Sequence, residues 1–368
     1  MHKNVIVFRK RLLPYSETFI ADQGKYLASY KANYCGLKRQ ESGIKLLGGS
    51  SCFLLDGYSH YPQIEKIKFR LGLPNKNWIS DLNALKSNLI HAHFLNDGMD
   101  ALRLKNKLNI PLITTLHGHD ITKKEKPDFF NISRKGFFCK VDKIIAVSDY
   151  IYQHALKNGC PEDKIIQHSI GIDVQKFTQV KNESEIPEIL FVGRLVEKKG
   201  LVYLLEALKL IKDKFPDLKL TIVGDGPLKK KLIEKASYDN ISVEFVGKES
   251  PEKVRERLAK TWVFAAPSIT ADDGDAEGLG MVFLEAQALN TPVVSFASGG
   301  VVEAVADGVT GVLSKEKDVK ALAESIEFFI DDAAARQQYG ARGRKRIEEL
   351  FDVRKQCLLL EDIYDSVR

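Results

Sequence analysis

The chain has 368 residues, of which 44% are hydrophobic and 28% are charged, and its formal net charge is +6 at pH 7. This composition excludes a disordered or collagen-like chain, and the length exceeds the roughly 250–300 residues at which a single core stops growing, so two domains are expected. No apolar run reaches the roughly 18 residues of a membrane span or forms a signal peptide, and we expect a cytoplasmic protein whose five cysteines, lacking a C-x-x-C pair, stay reduced.

The charge is unevenly divided along the chain. Residues 1–180 hold 27 Lys and Arg against 16 Asp and Glu, whereas residues 181–368 hold 28 against 33. A basic first half favours contact with an anionic membrane surface or a polyprenyl-diphosphate-linked acceptor, with ordinary solubility charge as the alternative. No nucleic-acid motif accompanies the basic groups, so no nucleic-acid partner is expected. The candidate basic groups are Arg9, Lys10, Arg11, Lys123, Lys124, Lys126, Arg134 and Lys135.

Short β-branched runs, each followed by turn residues and a helical pattern, predict an α/β protein with a parallel sheet in each half. The runs are NVIVF, LITTL and KIIAVS in the first half, and ILFVG, KLTIVG, VEFVG, WVFAAPS and PVVSFA in the second. Polar residues after Phe177, ending at Pro187, predict a linker. We therefore predict an N-terminal domain over residues 1–178, a C-terminal domain over 187–350 and a terminal helix over 351–368.

The first predicted strand is followed by RKRLLPYSETFI instead of a glycine-rich loop. Ser16, Glu17 and Thr18 in this segment have two interpretations. In the first, they cap the next helix, where Ser or Thr at the N-cap contributes about 1 kcal/mol to stability. In the second, they contact an acceptor. The sequence leaves both interpretations open.

Two histidine pairs follow strand runs of the first half: His91 with His93, and His117 with His119. In a parallel sheet the carboxyl ends of the strands form the ligand-binding edge. Histidines beside Asp120 raise the alternative of a zinc site, but the pairs lack the H-x3-H spacing of a helical metal motif. The roles that remain open for these residues are structural or acceptor-facing.

Three strand-to-helix turns of the second half carry glycines and cations. After ILFV come Gly193, Arg194, Lys198 and Lys199, where the planar fork of arginine and the point charge of Lys199 suit a phosphate. We expect Lys198 to be a solvated neighbour. The next turns contain Gly224 and Gly226, without the third glycine of a dinucleotide fingerprint, and then Val246, Gly247 and Lys248.

The stretch DAEGLGMVFLEAQALNTPVVSFAS begins at Asp275 and places Glu277 eight positions before Glu285. The amides near Gly278, Leu279 and Gly280 and the helix dipole favour an anion at the start of the helix. Both carboxylates are then available to accept hydrogen bonds from hydroxyl groups. A solvated helix start is the alternative.

Asp273 and Asp275 form a D-x-D pattern directly before these glutamates. Such a pair of carboxylates is a potential divalent-cation site. Because Arg194 and Lys199 already supply positive charge, we expect no metal requirement.

The stretch from Asp275 resembles the E-x7-E signature of retaining GT-B glycosyltransferases of family four, the glycosyl transferases of group 1. The FVGRL-x-x-x-KG and GxGP segments are similar to phosphate and nucleotide turns of that family. The Pro-x-x-Ser-Glu-Thr-Phe form resembles the subset that acts in exopolysaccharide and colanic-acid-type assembly. The resemblance implies two Rossmann-like domains facing across a deep cleft, with the C-terminal helix crossing back to the N-terminal domain.

For function, the resemblance implies transfer of a sugar from a nucleotide diphosphate sugar, most commonly a UDP-sugar, to a glycan or lipid-linked glycan. It implies no cofactor. Glu277 would hold sugar hydroxyls and Glu285 ribose hydroxyls, Arg194 and Lys199 the diphosphate, while His117 would position the donor sugar. The implied donor-binding positions also include Gly193, Gly224, Gly226, Val246, Gly247, Lys248, Gly278, Leu279 and Gly280. The implied acceptor-side candidates are Ser16, Glu17, Thr18, His93, His119 and Asp120. The alternatives are a GT-B-type sugar-nucleotide 2-epimerase and a noncatalytic nucleotide-sugar or glycan-binding protein.

Overall fold

The computed structural model describes residues 3–14, 17–125, 131–178 and 181–367. The chain divides into two compact units. The first contains residues 1–171 and 353–368, and the second contains residues 172–352.

The segment predicted as a linker is tied to the second unit. Ile172 forms a bridge with Asp352, and the buried Phe177 accepts a hydrogen bond of 2.8 Å from Arg344 through its carbonyl oxygen. Farther along the chain, the Asn182 amide donates a hydrogen bond of 3.0 Å to the Ala259 carbonyl oxygen of the same unit. The chain therefore leaves the first unit after residue 171, because the segment that follows finds its partners in the second.

The first unit is built on a parallel sheet. Its strands and those of a small companion sheet are β1 (Lys3–Phe8), β2 (Arg11–Leu12), β3 (Tyr30–Gly36), β4 (Lys38–Arg39), β5 (Cys52–Leu54), β6 (Leu89–His93), β7 (Leu112–Leu116), β8 (Lys143–Ala146) and β9 (Ile165–Gln167). The seven-stranded sheet has the order β5-β3-β1-β6-β7-β8-β9, while β2 pairs with β4 separately. The order reverses between β1 and β6, and open α/β sheets bind ligands at such a switch point.

Helices connect these strands, as parallel pairing requires. They are α1 (Thr18–Tyr26), α2 (Glu41–Leu46), α3 (Pro62–Arg70), α4 (Lys76–Ala84), α5 (Leu95–Leu108), α6 (His119–Thr122), α7 (Arg134–Lys140) and α8 (Asp149–Lys157). Short 3₁₀ turns cover Leu55–Gly57 and Glu162–Lys164.

The second unit contains a six-stranded parallel sheet. Its strands are β10 (Glu188–Val192), β11 (Lys219–Val223), β12 (Val243–Gly247), β13 (Val263–Ala265), β14 (Val293–Phe296) and β15 (Gly311–Ser314). The order is β12-β11-β10-β13-β14-β15, the doubly wound order of a Rossmann fold, with its switch point between β10 and β13. The loops after these two strands are therefore the place to look for a ligand site.

The helices of the second unit follow its strands in alternation. They are α9 (Leu201–Ile211), α10 (Lys229–Tyr238), α11 (Pro251–Lys260), α12 (Met281–Ala288), α13 (Val301–Ala304), α14 (Val319–Asp331) and α15 (Ala333–Leu350). Val174–Lys176 and Glu197–Lys199 form 3₁₀ turns. Among the described residues, no helix has both the length and the apolar character to cross a bilayer.

The last helix, α16 (Val353–Asp365), belongs to the first unit. Leu360, Ile363 and Tyr364 are buried in the same apolar cluster as Val5. The Tyr364 hydroxyl lies 2.7 Å from Nδ1 of the buried His91. The predicted return of the terminal helix to the first unit is confirmed.

Tyr364→Phe tests this attachment. We expect the substitution to lower the free energy of unfolding of the first unit by about 1–3 kcal/mol, because it leaves a buried His91 nitrogen without its hydrogen-bond partner. Urea denaturation followed by circular dichroism measures the change. Tyr238→Phe is the matched control, since Tyr238 is 86% exposed. Equal denaturation midpoints for the two variants would contradict the prediction.

Candidate functional site

Three ion pairs join the loop after β10 to the loop before α12. Lys199 Nζ lies 2.8 Å from Glu277 Oε1, and Lys198 Nζ lies 2.9 Å from Asp275 Oδ1 and 3.9 Å from Glu277 Oε1. The strands β10 and β13 are direct neighbours, so the loops that follow their carboxyl ends meet at the switch point. The structure thus brings together Lys199 and Glu277, which the sequence separates widely.

Glu277 is 7% exposed. Burial alone would raise the pKa of its carboxyl group, but the attraction of Lys199 and Lys198 outweighs burial and lowers this pKa to about 2. The group is therefore a carboxylate at neutral pH. An ionised carboxylate accepts hydrogen bonds only, which suits it to hydroxyl groups and makes it a poor partner for phosphate oxygens.

The expectation that Lys198 is a solvated neighbour is wrong. Its ammonium group is largely buried and donates to Asp275 and, at 3.4 Å, to the Ala276 carbonyl oxygen. Lys198 therefore fixes the loop that carries Glu277. This contact follows from the 3₁₀ turn at Glu197–Lys199, in which successive side chains point in different directions.

The acidic loop uses its carboxylates internally. Asp273 accepts a hydrogen bond of 3.0 Å from the Asp275 amide, and Asp275 is paired with Lys198. Within the described ranges, no group of three or more His, Cys, Asp or Glu side chains is arranged to hold a metal ion.

Arg194 follows Gly193 at the carboxyl end of β10, and its side chain is exposed. The next residue, Leu195, anchors the turn by donating its amide to the Asp225 carbonyl oxygen at 3.0 Å. No described carboxylate pairs with Arg194. A guanidinium group in this position can bind an anion without first breaking an ion pair.

Three turns lie side by side at this edge of the sheet. Gly224 has φ of +144°, and a Cβ built on it would lie 1.9 Å from the Gly193 carbonyl oxygen. Its amide donates to the Gly247 carbonyl oxygen at 2.7 Å. Only glycine allows this approach of backbone to backbone. The remaining predicted donor positions of these turns are Gly226, Val246 and Lys248, of which Val246 is half-buried and Lys248 is exposed.

The loop with Glu277 leads into α12, with Gly278 and Leu279 buried and Gly280 at the N-cap. Glu285 is half-buried and is the fifth residue of α12. The amides of the first turn of α12 come directly after Gly280, and helix N-termini bind anions.

Sequence reasoning missed the turn after β14. The Gly300 amide donates to the Glu277 carbonyl oxygen at 2.9 Å, and a Cβ on Gly300 would lie 1.9 Å from the Gly278 carbonyl oxygen. These backbone contacts of the turn fix the loop that carries Glu277. The adjacent glycines in SFASGG were the available signal, because paired glycines mark close backbone approach.

The first unit carries a stack of histidines at the carboxyl ends of β6 and β7. Nδ1 of His93 lies 3.1 Å from Nε2 of His117, and the ring centroids of His91 and His93 are 4.3 Å apart. His91 also bonds to Thr115 at 2.7 Å, in addition to Tyr364, which gives it a structural role.

Burial lowers the pKa of all three stacked histidines, to about 3 for His91 and well below the ordinary value for His93 and His117, where the charge of Arg9 adds to the effect. The rings are therefore neutral at pH 7. Nδ1 of His117 and Nε2 of His93 are buried and make no hydrogen bond to any described residue.

Asp120 holds the turn that carries His117. Its carboxylate accepts from the amides of Leu95 at 3.0 Å, His117 at 3.1 Å and Gly118 at 2.8 Å. This carboxylate is fully engaged by the backbone, so its observed role is structural. His119 is exposed beside the Phe94 ring, with 5.4 Å between ring centroids.

A buried cluster of charges occupies the switch point of the first sheet. Arg9 pairs with Glu17 at 2.6 Å and with Asp97, and its guanidinium carbon lies 4.3 Å from the Phe94 ring centroid. Phe94 has φ of +73°, a strained conformation for a bulky side chain. This strained residue was not identified from the sequence.

The capping interpretation is wrong for Glu17 and Thr18. Helix α1 starts at Thr18 with Glu17 in the N-cap position, but the Glu17 side chain makes no capping hydrogen bond. The Glu17 carboxylate binds Arg9 instead, because a buried guanidinium requires a counter-charge. Ser16 lies outside the described residues.

The interpretation of the basic groups as a lipid-facing surface is wrong for Arg9 and Arg134. Both are buried, and Arg134 donates to the carbonyl oxygens of Ile121 and Lys123 at 3.1 and 2.6 Å. Lys10 pairs with the buried Asp100 at 2.9 Å. Lys126 lies outside the described residues.

Comparisons with known proteins identify the fold and the family. Two doubly wound parallel units, the first completed by the C-terminal helix, define the GT-B fold. HepE of Anabaena, solved in complex with UDP and glucose, superposes with a TM-score of 0.77 at 18% identity, covering 99% of this chain and 100% of that one. At this identity the likeness shows the fold.

Two family models match the chain: Glycosyl transferases group 1 over residues 173–346 and Glycosyltransferase Family 4 over residues 57–176. Both models describe family-four glycosyltransferases, and the chain belongs to this family.

Among its relatives, WcaL of Escherichia coli, a glycosyltransferase provisionally assigned to colanic acid biosynthesis, is 31% identical over 275 residues, or 73% of this chain and 68% of WcaL. The amylovoran biosynthesis glycosyltransferase AmsK of Erwinia amylovora is 32% identical over 240 residues, or 64% of this chain and 59% of AmsK. These relatives favour neither the epimerase nor the noncatalytic alternative.

The buried histidines predict acid sensitivity. Unfolded histidine binds a proton below about pH 6.5, whereas the folded sites have lowered pKa values and stay neutral, so stability is lost as the pH falls. Each such histidine contributes about 0.7 kcal/mol per pH unit near pH 6.5, where half of the unfolded histidine is protonated, and about 1.4 kcal/mol per pH unit near pH 5. Urea denaturation across this range checks the slope. His60→Gln, at an exposed position, should keep the wild-type slope, and a flat pH profile for the wild type would contradict the prediction.

Proposed function

We propose that this glycosyltransferase transfers a sugar with retention from a UDP-sugar to a glycan or polyprenyl-diphosphate-linked glycan in exopolysaccharide assembly, without a metal ion. The observation that carries the proposal is the buried pair of Lys199 and Glu277 at the switch point of the second sheet. The UDP complex of HepE supports the choice of nucleotide, and the names of WcaL and AmsK support the pathway class.

The second unit supplies the donor-binding groups in this proposal. Arg194 is exposed and Lys199 is held at the same edge of the sheet, so both can bind a diphosphate together with the first amides of α12. When phosphate oxygens bind Lys199, the Glu277 carboxylate is released to accept hydrogen bonds from sugar hydroxyls. Glu285 in α12 accepts from the ribose.

The turns at Gly193, Gly224 and Gly247 provide a side-chain-free surface for the nucleotide. Their backbones are already packed against one another, so the surface is preorganised and little conformational entropy is lost on binding.

Retention proceeds by departure and attack on the same face of the sugar. The bond from the anomeric carbon to the phosphate oxygen breaks, the bond to the acceptor oxygen forms, and the acceptor proton passes to the leaving phosphate. Glu277 is held by Lys199 and is assigned to hydroxyl binding, not to attack. The positive charges of Arg194 and Lys199 stabilise the leaving diphosphate, so no metal ion is needed for this purpose.

The first unit supplies the imidazole of His117 and the acceptor-side candidates. The neutral imidazole of His117, with a buried nitrogen lacking a described partner, can make a hydrogen bond to a sugar without adding charge. His93 holds the other nitrogen of His117. His119 is the exposed candidate for contact with the acceptor.

Glu277→Gln tests the donor site. We expect turnover to fall at least about 100-fold, because hydroxyl groups lose a charged acceptor. The affinity for UDP should be retained, because Lys199 no longer has a competing carboxylate. Product formation from a UDP-sugar and calorimetric binding of UDP measure the two effects.

Asp272→Asn is the matched control for Glu277→Gln, since Asp272 is an exposed acid of the same loop. Arg194→Ala is the complementary variant and should weaken both UDP binding and turnover. Normal turnover of Glu277→Gln would overturn the assignment of Glu277.

Chelation tests the proposed independence from metal. Activity should persist in excess EDTA, because Asp275 is engaged by Lys198 and the diphosphate has cationic side chains as partners. Rates before and after chelation, and after addition of Mg²⁺ or Mn²⁺, give the answer. Loss of activity in EDTA that is restored by either ion would refute this part of the proposal.

A further inference from the structure

Helix α3 of the first unit presents its apolar side to solvent. Ile64, Ile67 and Leu71 are 50%, 52% and 60% exposed. Their spacing of three and four residues places them in one stripe along the helix and its C-cap. We call these three residues the α3 stripe. The exposed Tyr61 and Leu73 lie at its two ends.

The opposite side of α3 faces the protein. It buries Phe69 and Glu65, and the Glu65 carboxylate pairs with Lys68 at 3.1 Å. Residues 65 and 69 are four positions apart and so lie on one face, directly opposite the α3 stripe. The orientation of the helix is therefore fixed by burial of Phe69, and exposure of the stripe is its consequence.

Cationic residues lie on both sides of the α3 stripe. By helical position Lys68 borders the stripe on one side, and Arg70 borders it on the other. An apolar face bordered by lysine and arginine is the pattern of helices that lie in a membrane interface, where apolar side chains enter the acyl boundary and cations meet anionic headgroups.

We propose that the α3 stripe docks the protein on a bilayer surface that contains anionic lipid. The α3 stripe supplies the apolar contact, and Lys68 and Arg70 supply the attraction to lipid phosphate. Residues 1–180 hold 27 basic against 16 acidic residues, and this net positive charge adds a long-range attraction to anionic lipid. Docking does not depend on the donor chemistry, so it stands or falls separately from the proposed function.

A second copy of the chain fits this surface less well. A stable interface buries about 800 Å² on each partner, more than a stripe of three side chains on a nine-residue helix provides. In a two-fold pair the cations bordering one stripe would also face those of the other, and like charges repel. An anionic headgroup layer instead complements these cations.

Vesicle binding of the full chain tests the proposal, without any sugar present. We expect co-sedimentation with phosphatidylcholine vesicles that contain phosphatidylglycerol, weak binding to phosphatidylcholine alone, and loss of binding as salt rises. The triple variant Ile64→Ser, Ile67→Ser, Leu71→Ser should bind the anionic vesicles at least about tenfold more weakly. The double variant Lys68→Gln, Arg70→Gln should lose most of the preference for anionic lipid.

Matched variants in the second unit control for composition. Leu210→Ser with Tyr238→Ser and Val309→Ser removes three exposed apolar side chains elsewhere, and Lys320→Gln with Lys345→Gln removes two exposed charges. Both should bind like the wild type. An unchanged circular dichroism spectrum and an unchanged urea midpoint show that the triple variant is folded.

Three outcomes would overturn the proposal. The first is a wild type that does not bind anionic vesicles, and the second is a folded triple variant that binds them as the wild type does. The third is sedimentation analysis showing that the α3 substitutions convert a dimer to a monomer, which would assign the stripe to a second copy.

Discussion

The ion pair of Lys199 and Glu277 is the interaction on which the second unit's site depends. Both groups are largely withdrawn from water, and such a pair recovers its desolvation cost only through close contact. Loss of Glu277 leaves the buried charge of Lys199 unpaired, a cost of roughly 3–5 kcal/mol. The same pair fixes two loops that are far apart in sequence. In the proposed function, an entering diphosphate competes with Glu277 for Lys199.

The two sheets have the same doubly wound order, with one additional edge strand in the first, but they place different charged groups at their switch points. In the second, Lys198 and Lys199 are paired with Asp275 and Glu277, and Arg194 is exposed without a described carboxylate partner. In the first, the buried Arg9 is paired with two carboxylates, Glu17 and Asp97. In the proposed function, the exposed Arg194 makes the second switch point the site for an anionic diphosphate. The chemistry of each unit comes from the loop residues, because the topology is common to both.

The sequence predicts an element well where its own residues determine it. LITTL and VEFVG match β7 and β12 along their whole length, because β-branched residues in a short run favour a buried strand. The strand β3 was not predicted, since Asn33 and Lys31 interrupt its apolar pattern and its pairing with β1 decides its conformation. In the site, Lys199 and Glu277 were identified as candidates from spacing. The roles of Lys198 and Gly300 depend on side-chain direction and backbone approach, which only the folded loops determine.

Helix α3 shows where local pattern and tertiary structure disagree. On hydropathy alone, Ile64 and Ile67 belong in a core and Glu65 belongs in water, yet the structure buries Glu65 and exposes both isoleucines. Full burial of such a side chain contributes about 1.5–3 kcal/mol, and each half-exposed isoleucine forgoes roughly half of it. The packing of Phe69 sets this orientation, so the exposed stripe is part of the fold and not a frayed end. Under the docking proposal an anionic bilayer covers this surface, and the bordering Lys68 and Arg70 meet its headgroups.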